Sequence, residues 1–583
     1  MTVTKSSVAT IQTAAVRSSV AAKGGAIWRS RGAHVQAPKE RVGEALLDLR
    51  EIAQADQQAF LDPDYEQLHV TGESDILDIN IAAALLTKLA RDGKRIAIFG
   101  DYDVDGVCGT ALLDQALRKI GAKTILKLPH RERDGYGLQL AAVPELLSSA
   151  PDAVVTVDNG SSSAAAIDKI KQAGVPVVVV DHHVIPAEAP IPDAFCNPKR
   201  SNETAGFRLQ CATGVAFRLA EQMYRLAGVP EGQEKWLLDL VALATVCDMV
   251  PLVGDNRAFV QFGLKTLQRT KRPGLRALLE VSGVPAEGAI QSDAIGFKLG
   301  PRLNAAGRIE HAQQALEVVT ATNQQTATDL AAQLDQINQR RKTETIKVVD
   351  GARAAASEYD QAVSLVLVSP GWPRGVCGLA AGRLARELNK PVFVLEEGEL
   401  CVGSGRTAGN IDLAAMIAEA PDLFEKAGGH AAAAGCTLKR DRIGAFRKHF
   451  EQYVRDNRGD KVPQREHLFD LEIPLAFVDQ ALLDIVMQLA PFGQANPEPV
   501  FKFSDCVIER VKNVGSDERH VSFSVSQNNK HVKGIAFGMA EELSWMQPGA
   551  RVDLLATVQE NLWQNVRNAE LILIDAQKND SIS

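Results

Sequence analysis

Apolar residues follow two rhythms along this chain, and the alternation between them outlines the fold. Short unbroken apolar runs at residues 95–99, 153–157 and 175–180 have the composition of strands buried on both faces, which are usually parallel. Residues 109–120, 162–173 and 214–226 instead carry apolar positions at helical spacing. This alternation predicts a doubly wound α/β domain. Upstream, residues 40–61 and 76–91 read as amphipathic helices, with Leu47, Ile52, Ile79, Leu85 and Leu89 facing inward. Residues 256–281 are helical again, and an Ala- and Gln-rich segment from His311 to Ser357, with Gly351 its main breaker, reads from periodicity alone either as a helix joining two domains or as an ordinary surface helix.

A second α/β pattern starts with the strand-like run at 362–369. It passes through a loop containing Pro370, Gly371, Pro373, Gly375 and Gly378 into a helix ending at Leu388, then a strand at 391–395. Polar residues 456–465, with Gly459 and Pro463, form a linker. Beyond it, β-rich runs at 500–511, 520–525, 532–537, 552–558 and 569–574 predict a small antiparallel barrel of the oligonucleotide-binding (OB) type. The expected division is a flexible tail over 1–39, an α/β domain over 40–255, a connecting helical region over 256–357, a second α/β domain over 358–458, and the barrel over 466–577.

Composition narrows the function classes. A chain of 583 residues is too long for one core. Its 64 basic and 72 acidic residues give a formal charge of −8, which excludes a polycationic surface that coats nucleic acid indiscriminately. An anionic ligand must therefore be met locally. The eight cysteines form no Cys-x-x-Cys pair, so neither a zinc ribbon nor a disulfide scaffold is indicated, and a reducing cytoplasm is expected. No run approaches the roughly 20 apolar residues that span a bilayer, so no membrane association is expected. The first 39 residues lack Asp and Glu and are rich in Ser, Ala and Thr; a disordered tail is preferred over a targeting segment.

The chemistry lies in four acidic motifs: Asp101-Tyr102-Asp103-Val104-Asp105-Gly106, Asp158-Asn159-Gly160, Asp181-His182-His183, and Asp248 after Val246-Cys247. Three of them follow the apolar runs. In open parallel sheets ligands bind beyond the carboxyl ends of the strands, so these acids are expected to converge. Like charges about 4 Å apart repel by roughly 4 kcal/mol per pair at an effective dielectric near 20, so convergence calls for bound cations or shifted pKa values. Asp103 and Asp105 straddle a tight turn and can face two cations, which Asp158 can bridge. Two metals roughly 3.5–4 Å apart suit phosphate-ester hydrolysis. A histidine ligand, His182, tilts the choice towards Mn over Mg.

These motifs resemble the DHH phosphoesterase superfamily. More narrowly, residues 247–252, the block Arg302-Leu303-Asn304-Ala305-Ala306-Gly307-Arg308, Gly428-Gly429-His430 and Pro491-Phe492-Gly493 before a barrel resemble the RecJ family of single-stranded-DNA-specific exonucleases. The resemblance implies two α/β domains, DHH and DHH-associated, joined by a long helix and followed by an OB barrel. It implies that Asp103, Asp105, Asp158, His182 and Asp248 hold two divalent metals, Mn2+ preferred and Mg2+ accepted, with Asp101 a ligand or outer partner and His183 facing the scissile phosphate. Arg302, Asn304, Arg308, Ser404, Arg406 and His430 are implied in DNA and phosphate binding, whereas without the resemblance Arg302 and Arg308 also read as salt-bridge arginines between domains. Pro373 follows Trp372 where many relatives carry histidine, which puts a contact from that position in doubt. In the barrel, Phe503, Lys512, Arg519, Phe523 and Trp563 are candidate strand contacts, core packing being the better single-residue reading for either Phe.

The activity so implied is 5′-to-3′ degradation of single-stranded DNA to mononucleotides in repair and recombination, by a cytoplasmic monomer working beside a single-strand-binding protein and a helicase. Three alternatives stand beside it. Another superfamily phosphodiesterase acting on short or cyclic nucleotides, or a manganese pyrophosphatase, would lack the terminal barrel. A non-catalytic strand-binding scaffold would have lost metal ligands. A metabolite-binding α/β protein would leave the acidic clustering unexplained.

Overall fold

The computed structural model describes residues 26–579 apart from 33–35, 69–73, 132, 204, 286–287, 410, 516–517 and 564–565. The described chain divides into two compact units. One is Asp64–Val462 with Gly493–Ala495; the other joins the described residues up to Pro63 to Pro463–Phe492 and to those from Asn496 onward.

The larger unit begins with a five-stranded sheet in the order Lys123–Lys127, Arg95–Phe99, Ala153–Val157, Val177–Val180, Ala194–Cys196. Every pairing in it is parallel. The four strands from Arg95 to Cys196 other than the edge strand Lys123–Lys127 are almost wholly buried, which explains their unbroken apolar runs. Register then does functional work: Phe99 pairs with Thr156 and Val157 with Val180, so the chain leaves three adjacent strands at one edge. Helices Val104–Lys119, Ala212–Ala227 and Leu238–Cys247 share one core on one face of this sheet, through Val107, Leu112, Val215, Leu219 and Leu243. Val143, Leu146, Ile167 and Ile170 cover the other face.

Helices Gly254–Gln268, Pro273–Val281, Gly300–Ile309 and Gln313–Thr320 follow, the third preceded by a turn of π-helix over Ala294–Leu299. Then comes Gln324–Ala356, 33 residues and about 50 Å long. Gly351, the expected breaker, sits inside it. The second lobe has a mixed sheet in the order Lys426–His430, Ala433–Lys439, Leu400–Arg406, Val392–Glu396, Leu365–Ser369, of which only the last two strands pair in parallel. Helix Arg374–Leu388 packs along it, and Pro373 is its N-cap residue.

The smaller unit is a closed barrel. Strands Phe501–Val514, His520–Gln527, Lys530–Ala536, Val566–Lys578 and Arg551–Trp563 pair in that order, and the last returns to the first. Its core corrects the boundaries expected at the N-terminus. Val42, Leu46 and Leu47, on the helix Val42–Asp48, pack with Leu471, Leu482 and Phe501 of this unit, so the segment before Pro63 belongs with the barrel and not with the first α/β domain. The tail expected over 1–39 is corrected too: Ile27–Ser30 is a strand paired in parallel with Glu466–Phe469, and Trp28 donates from Nε1 to Asp575 at 2.7 Å. Residues 1–25 of that tail lie outside the described residues. Phe503 and Phe523 are buried, which excludes them as strand-stacking surfaces and leaves them as core. Lys512 and Arg519 are exposed, and the Trp563 side chain lies outside the described ones.

Candidate metal centre

Local structure aims each acid at the sheet edge. Asp103 is the N-cap of helix Val104–Lys119, its Oδ1 accepting from the backbone N–H of Asp105 at 2.9 Å and of Gly106 at 3.2 Å. Gly106 has no room for a side chain, since a Cβ there would lie 2.4 Å from the Asp101 nitrogen. Asp105 reaches a second helix: its two carboxylate oxygens accept from Ala212 N at 2.7 Å and Thr213 N at 2.8 Å, at the start of Ala212–Ala227. Those two N–H groups are among the four that a helix N-terminus leaves without an intrahelical partner.

Asp158 has φ +61°, a left-handed conformation that turns its side chain back over the strand ends. The following Asn159 straps two strands, donating from Nδ2 to Phe99 O at 3.2 Å and Val157 O at 2.9 Å. Asp181 accepts from Ser161 N, His182 N, His183 N and His183 Nδ1, the last at 2.8 Å. Its oxygens are thus committed to orienting the two histidines. Asp248 caps the C-terminal end of Leu238–Cys247.

These side chains meet. His182 Nε2 lies 3.7 Å from Asp105 Oδ2, 3.3 Å from Asp158 Oδ1 and 3.6 Å from Asp248 Oδ2. Three groups offer donor atoms within 4.8 Å of one another: Asp105 with His182 and Asp248; Asp101 with Asp103 and Asp158; and Asp158 with His182 and His183. Asp158 and His182 each belong to two groups, which is the layout two neighbouring cations need.

Electrostatics argues for cations. Burial first, then Asp105, Asp103 and Asp101, push the Asp158 carboxyl well above the ordinary carboxylate range. Burial and Asp103 do the same to Asp101, and burial with Asp105 and Asp103 raises Asp248 to about 9. His182 is lowered by burial. Asp101 Oδ1, His182 Nε2 and Asp248 Oδ2 are buried and accept or donate no hydrogen bond. Oxygen and imidazole donors left bare in a crowd of carboxylates fit divalent ions such as Mn2+ or Mg2+. His183 differs: burial alone would lower it, but its bond to Asp181 outweighs this and holds it above its ordinary value.

Of the expected phosphate contacts, Arg308, Ser404 and Arg406 come together. A Cβ on Gly375 would lie 1.9 Å from the Arg308 carbonyl oxygen, and one on Gly378 would touch Arg406 Nη2 at 3.0 Å and Ser404 Oγ at 3.4 Å. Gly307 sits as closely on Tyr102, a Cβ there falling 2.6 Å from its carbonyl oxygen, which joins this cluster to the first acidic motif. Arg302 departs from its expected role. Its Nε is held by Asp335 Oδ1 at 2.8 Å and its Nη1 donates to Lys298 O, so its charge is already neutralised within the helical region. Asn304 is half-buried, and His430 ends the exposed edge strand Lys426–His430, outside all three of the donor groups.

Sequence reasoning missed Tyr136 and Arg131. The Tyr136 hydroxyl lies 3.0 Å from the His183 ring nitrogens and donates to Asp158 O at 3.3 Å, while Arg131 stands 4.9 Å over the Tyr102 ring. Both lie on the loop after Lys123–Lys127, and a basic, aromatic loop beyond a parallel strand was the available signal.

Comparison with known proteins agrees with this anatomy. Residues 95–245 match the N-terminal domain of the DHH family, 360–456 the DHHA1 domain and 469–575 the RecJ OB domain. The chain is 34% identical over 520 residues to the single-stranded-DNA-specific exonuclease RecJ of Dickeya dadantii, covering 85% of this chain and 89% of that one. It is 31% identical over 503 residues to RecJ of Bacillus subtilis, but spans only 63% of that longer relative. The structure of Thermus thermophilus RecJ with Mn2+ superposes with a TM-score of 0.79 at 27% identity, covering 95% of this chain and 80% of that one. The Mg2+ complex of the same protein gives 0.72 at 26% identity, covering 95% and 79%. Domain matches in the same order, identity above 30% along nearly the whole Dickeya protein and a shared fold make this chain a member of the RecJ family.

Proposed function

We propose that this protein is a metal-dependent exonuclease that degrades single-stranded DNA from its 5′ end to mononucleotides. One observation carries the reading: three donor groups at the edge of a parallel sheet, two of acid and histidine and one of acids alone, linked because Asp158 and His182 each belong to two of them. Asp103, Asp105, Asp158, His182 and Asp248 would hold two divalent ions, with Asp158 and His182 each belonging to two of the donor groups and Asp101 grouped with Asp103. When bound, such ions polarise a phosphoryl oxygen and acidify water. The chain's own residues do the rest. Asp181 and Tyr136 fix the His183 ring, whose raised proton affinity suits a group that faces an anionic phosphate. Arg308, Ser404 and Arg406 receive a strand phosphate, the guanidinium forks matching its oxygens.

Phe537, 58% exposed and edge-on to His520 at 5.5 Å, replaces the buried phenylalanines as the barrel's stacking candidate, with Lys512 and Arg519 as its basic companions. The reading includes a single-strand-binding protein and a helicase as partners in repair and recombination. Among the described residues no helix is long and apolar enough to cross a membrane, and all eight cysteines are free, which supports a cytoplasmic location.

The test is digestion of 5′-labelled and 3′-labelled single strands, beside a duplex, in Mn2+, Mg2+ or chelator. The 5′ label should leave at once as a mononucleotide, the duplex should resist, and chelator should stop the reaction. Asp158→Ala should lower the rate by about a thousandfold while leaving strand binding in chelator intact. Prior loss of the 3′ label overturns the polarity, and undiminished turnover by Asp158→Ala overturns the bridging role.

A further inference from the structure

The strand Lys123–Lys127 is the outer strand of the parallel sheet and pairs with Arg95–Phe99 on one side only. Along it Lys123 N donates to Lys94 O and Lys127 O accepts from Gly100 N, so alternate residues spend their main-chain groups on the sheet. Leu126 falls between them and turns its N–H and C=O outward, where no described residue bonds them. Free edges of this kind are normally blocked. Upstream this one is, since Arg118 lies against Thr124 with its Nε 2.8 Å from the hydroxyl. At Leu126 it instead opens on a cavity of about 710 Å³.

That volume lies within the roughly 300–1,000 Å³ of small-molecule sites. Phe99, Leu128, Ala142 and Leu146 give it apolar walls, with Pro129 and Gly137 from the loop that follows the strand. The charges on its walls are already matched, Lys127 with Glu145 at 2.8 Å and Arg133 with Asp134 at 2.7 and 2.9 Å. His311 Nδ1 is used as well, accepting from the Gln313 backbone N–H at 3.0 Å. The Gln313 side-chain amide and the Leu126 main-chain pair are left to offer hydrogen bonds.

This set defines the occupant. An anion finds no unpaired cation there, and a cation finds no unpaired carboxylate. An added peptide strand advances about 3.3 Å per residue and needs several residues of open edge, but Arg118 closes the edge two residues before Leu126. A single planar ring fits, with apolar faces against the walls and neighbouring donor and acceptor atoms on its rim. We propose that this cavity binds a free, uncharged nitrogen heterocycle of the nucleobase or nucleoside class, held edge-on by the Leu126 N–H and C=O and by the Gln313 amide. The site shares no residue with the three donor groups or with Arg308, Ser404 and Arg406. One loop connects it to the centre. Residues 128–139 wall the cavity and also carry Tyr136 to within 3.0 Å of His183, so an occupant steadies that hydroxyl.

The test is isothermal titration of the unaltered protein in chelator with deoxyadenosine, deoxyribose being the control without a ring. Deoxyadenosine should bind with a Kd of about 0.1 mM, the ordinary efficiency for a ligand of its size, and deoxyribose should not bind. Ala142→Trp, which fills the cavity from a half-buried wall, should weaken binding about tenfold or more without lowering the melting temperature. Gln313→Ala, also half-buried, should weaken it about fivefold and reports on the site even where the tryptophan disturbs folding. Bound nucleoside should slow hydrogen exchange of residues 128–139 about threefold and leave residues 426–439 unchanged. A saturating 5′-phosphorylated single strand should leave the nucleoside in place. Displacement by that strand overturns the inference, because the ring would then lie on the strand's own path. So does undiminished binding by the two variants, or no binding at roughly 5 mM. Each of these failures leaves the nuclease reading standing, since that reading rests on digestion and not on this cavity.

Discussion

At the residue scale, the centre is defined by carboxylates that cannot all ionise unaided. Asp101, Asp158 and Asp248 are all raised, Asp248 to about 9, by burial and by one another's company with Asp103 and Asp105. A folded-state value above the unfolded one means that the native metal-free protein holds protons the unfolded chain releases. Its stability is then fully present below about pH 4 as far as these groups are concerned, and is lost as pH rises towards 9. Divalent ions replace those protons. The melting temperature of the chelated protein should therefore fall between pH 6 and pH 9, and Mn2+ should raise it more at pH 8.5 than at pH 6, as differential scanning fluorimetry can measure. A metal-induced shift that is the same at both values would count against proton displacement. The motif residues were legible in the sequence because they follow apolar runs directly. Their division of labour was not: Asp181 orients, Asp105 also caps a helix, and Asn159 ties strands together, roles set by partners up to 108 residues away.

At the scale of elements, glycines decide how closely the arginine cluster approaches the acids. Gly375 lets the start of helix Arg374–Leu388 press on the Arg308 carbonyl, and Arg308 Nη1 donates back to Gly375 O at 3.4 Å. Backbone on both sides cannot yield as a flexible side chain would. Gly375→Ala should cost roughly 1–3 kcal/mol of stability, the usual range for overpacking, and should raise KM for single strands more than it lowers kcat. Thermal denaturation and steady-state kinetics check this, and an unchanged KM would show that the contact does not set the Arg308 position. Helix and strand types in both α/β lobes could be read from periodicity. The engagement of Arg302 by Asp335 could not, since the two lie on different helices and nothing in spacing shows which carboxylate an arginine will meet.

For the whole molecule, the N-terminal segment belongs to the barrel's unit, with Ile27–Ser30 paired to Glu466–Phe469 and Leu46 packed near Leu482. A chain cut after Val462 but retaining its start should therefore expose apolar surface and aggregate, whereas residues 64–462 alone should fold and keep divalent-ion binding. Light scattering and Mn2+ titration of the two fragments distinguish these outcomes; equal solubility would mean that the N-terminal segment does not need the barrel. By itself the sequence determined the two α/β lobes, the linking helix, the barrel and the convergence of the acidic motifs at the strand ends, because buried strands, helical periodicity and strand-end motifs are local signals. Only the tertiary structure decided which arginines remain unpaired, which aromatic rings face outward and where the first 63 residues dock, because each depends on burial and partners supplied by distant segments.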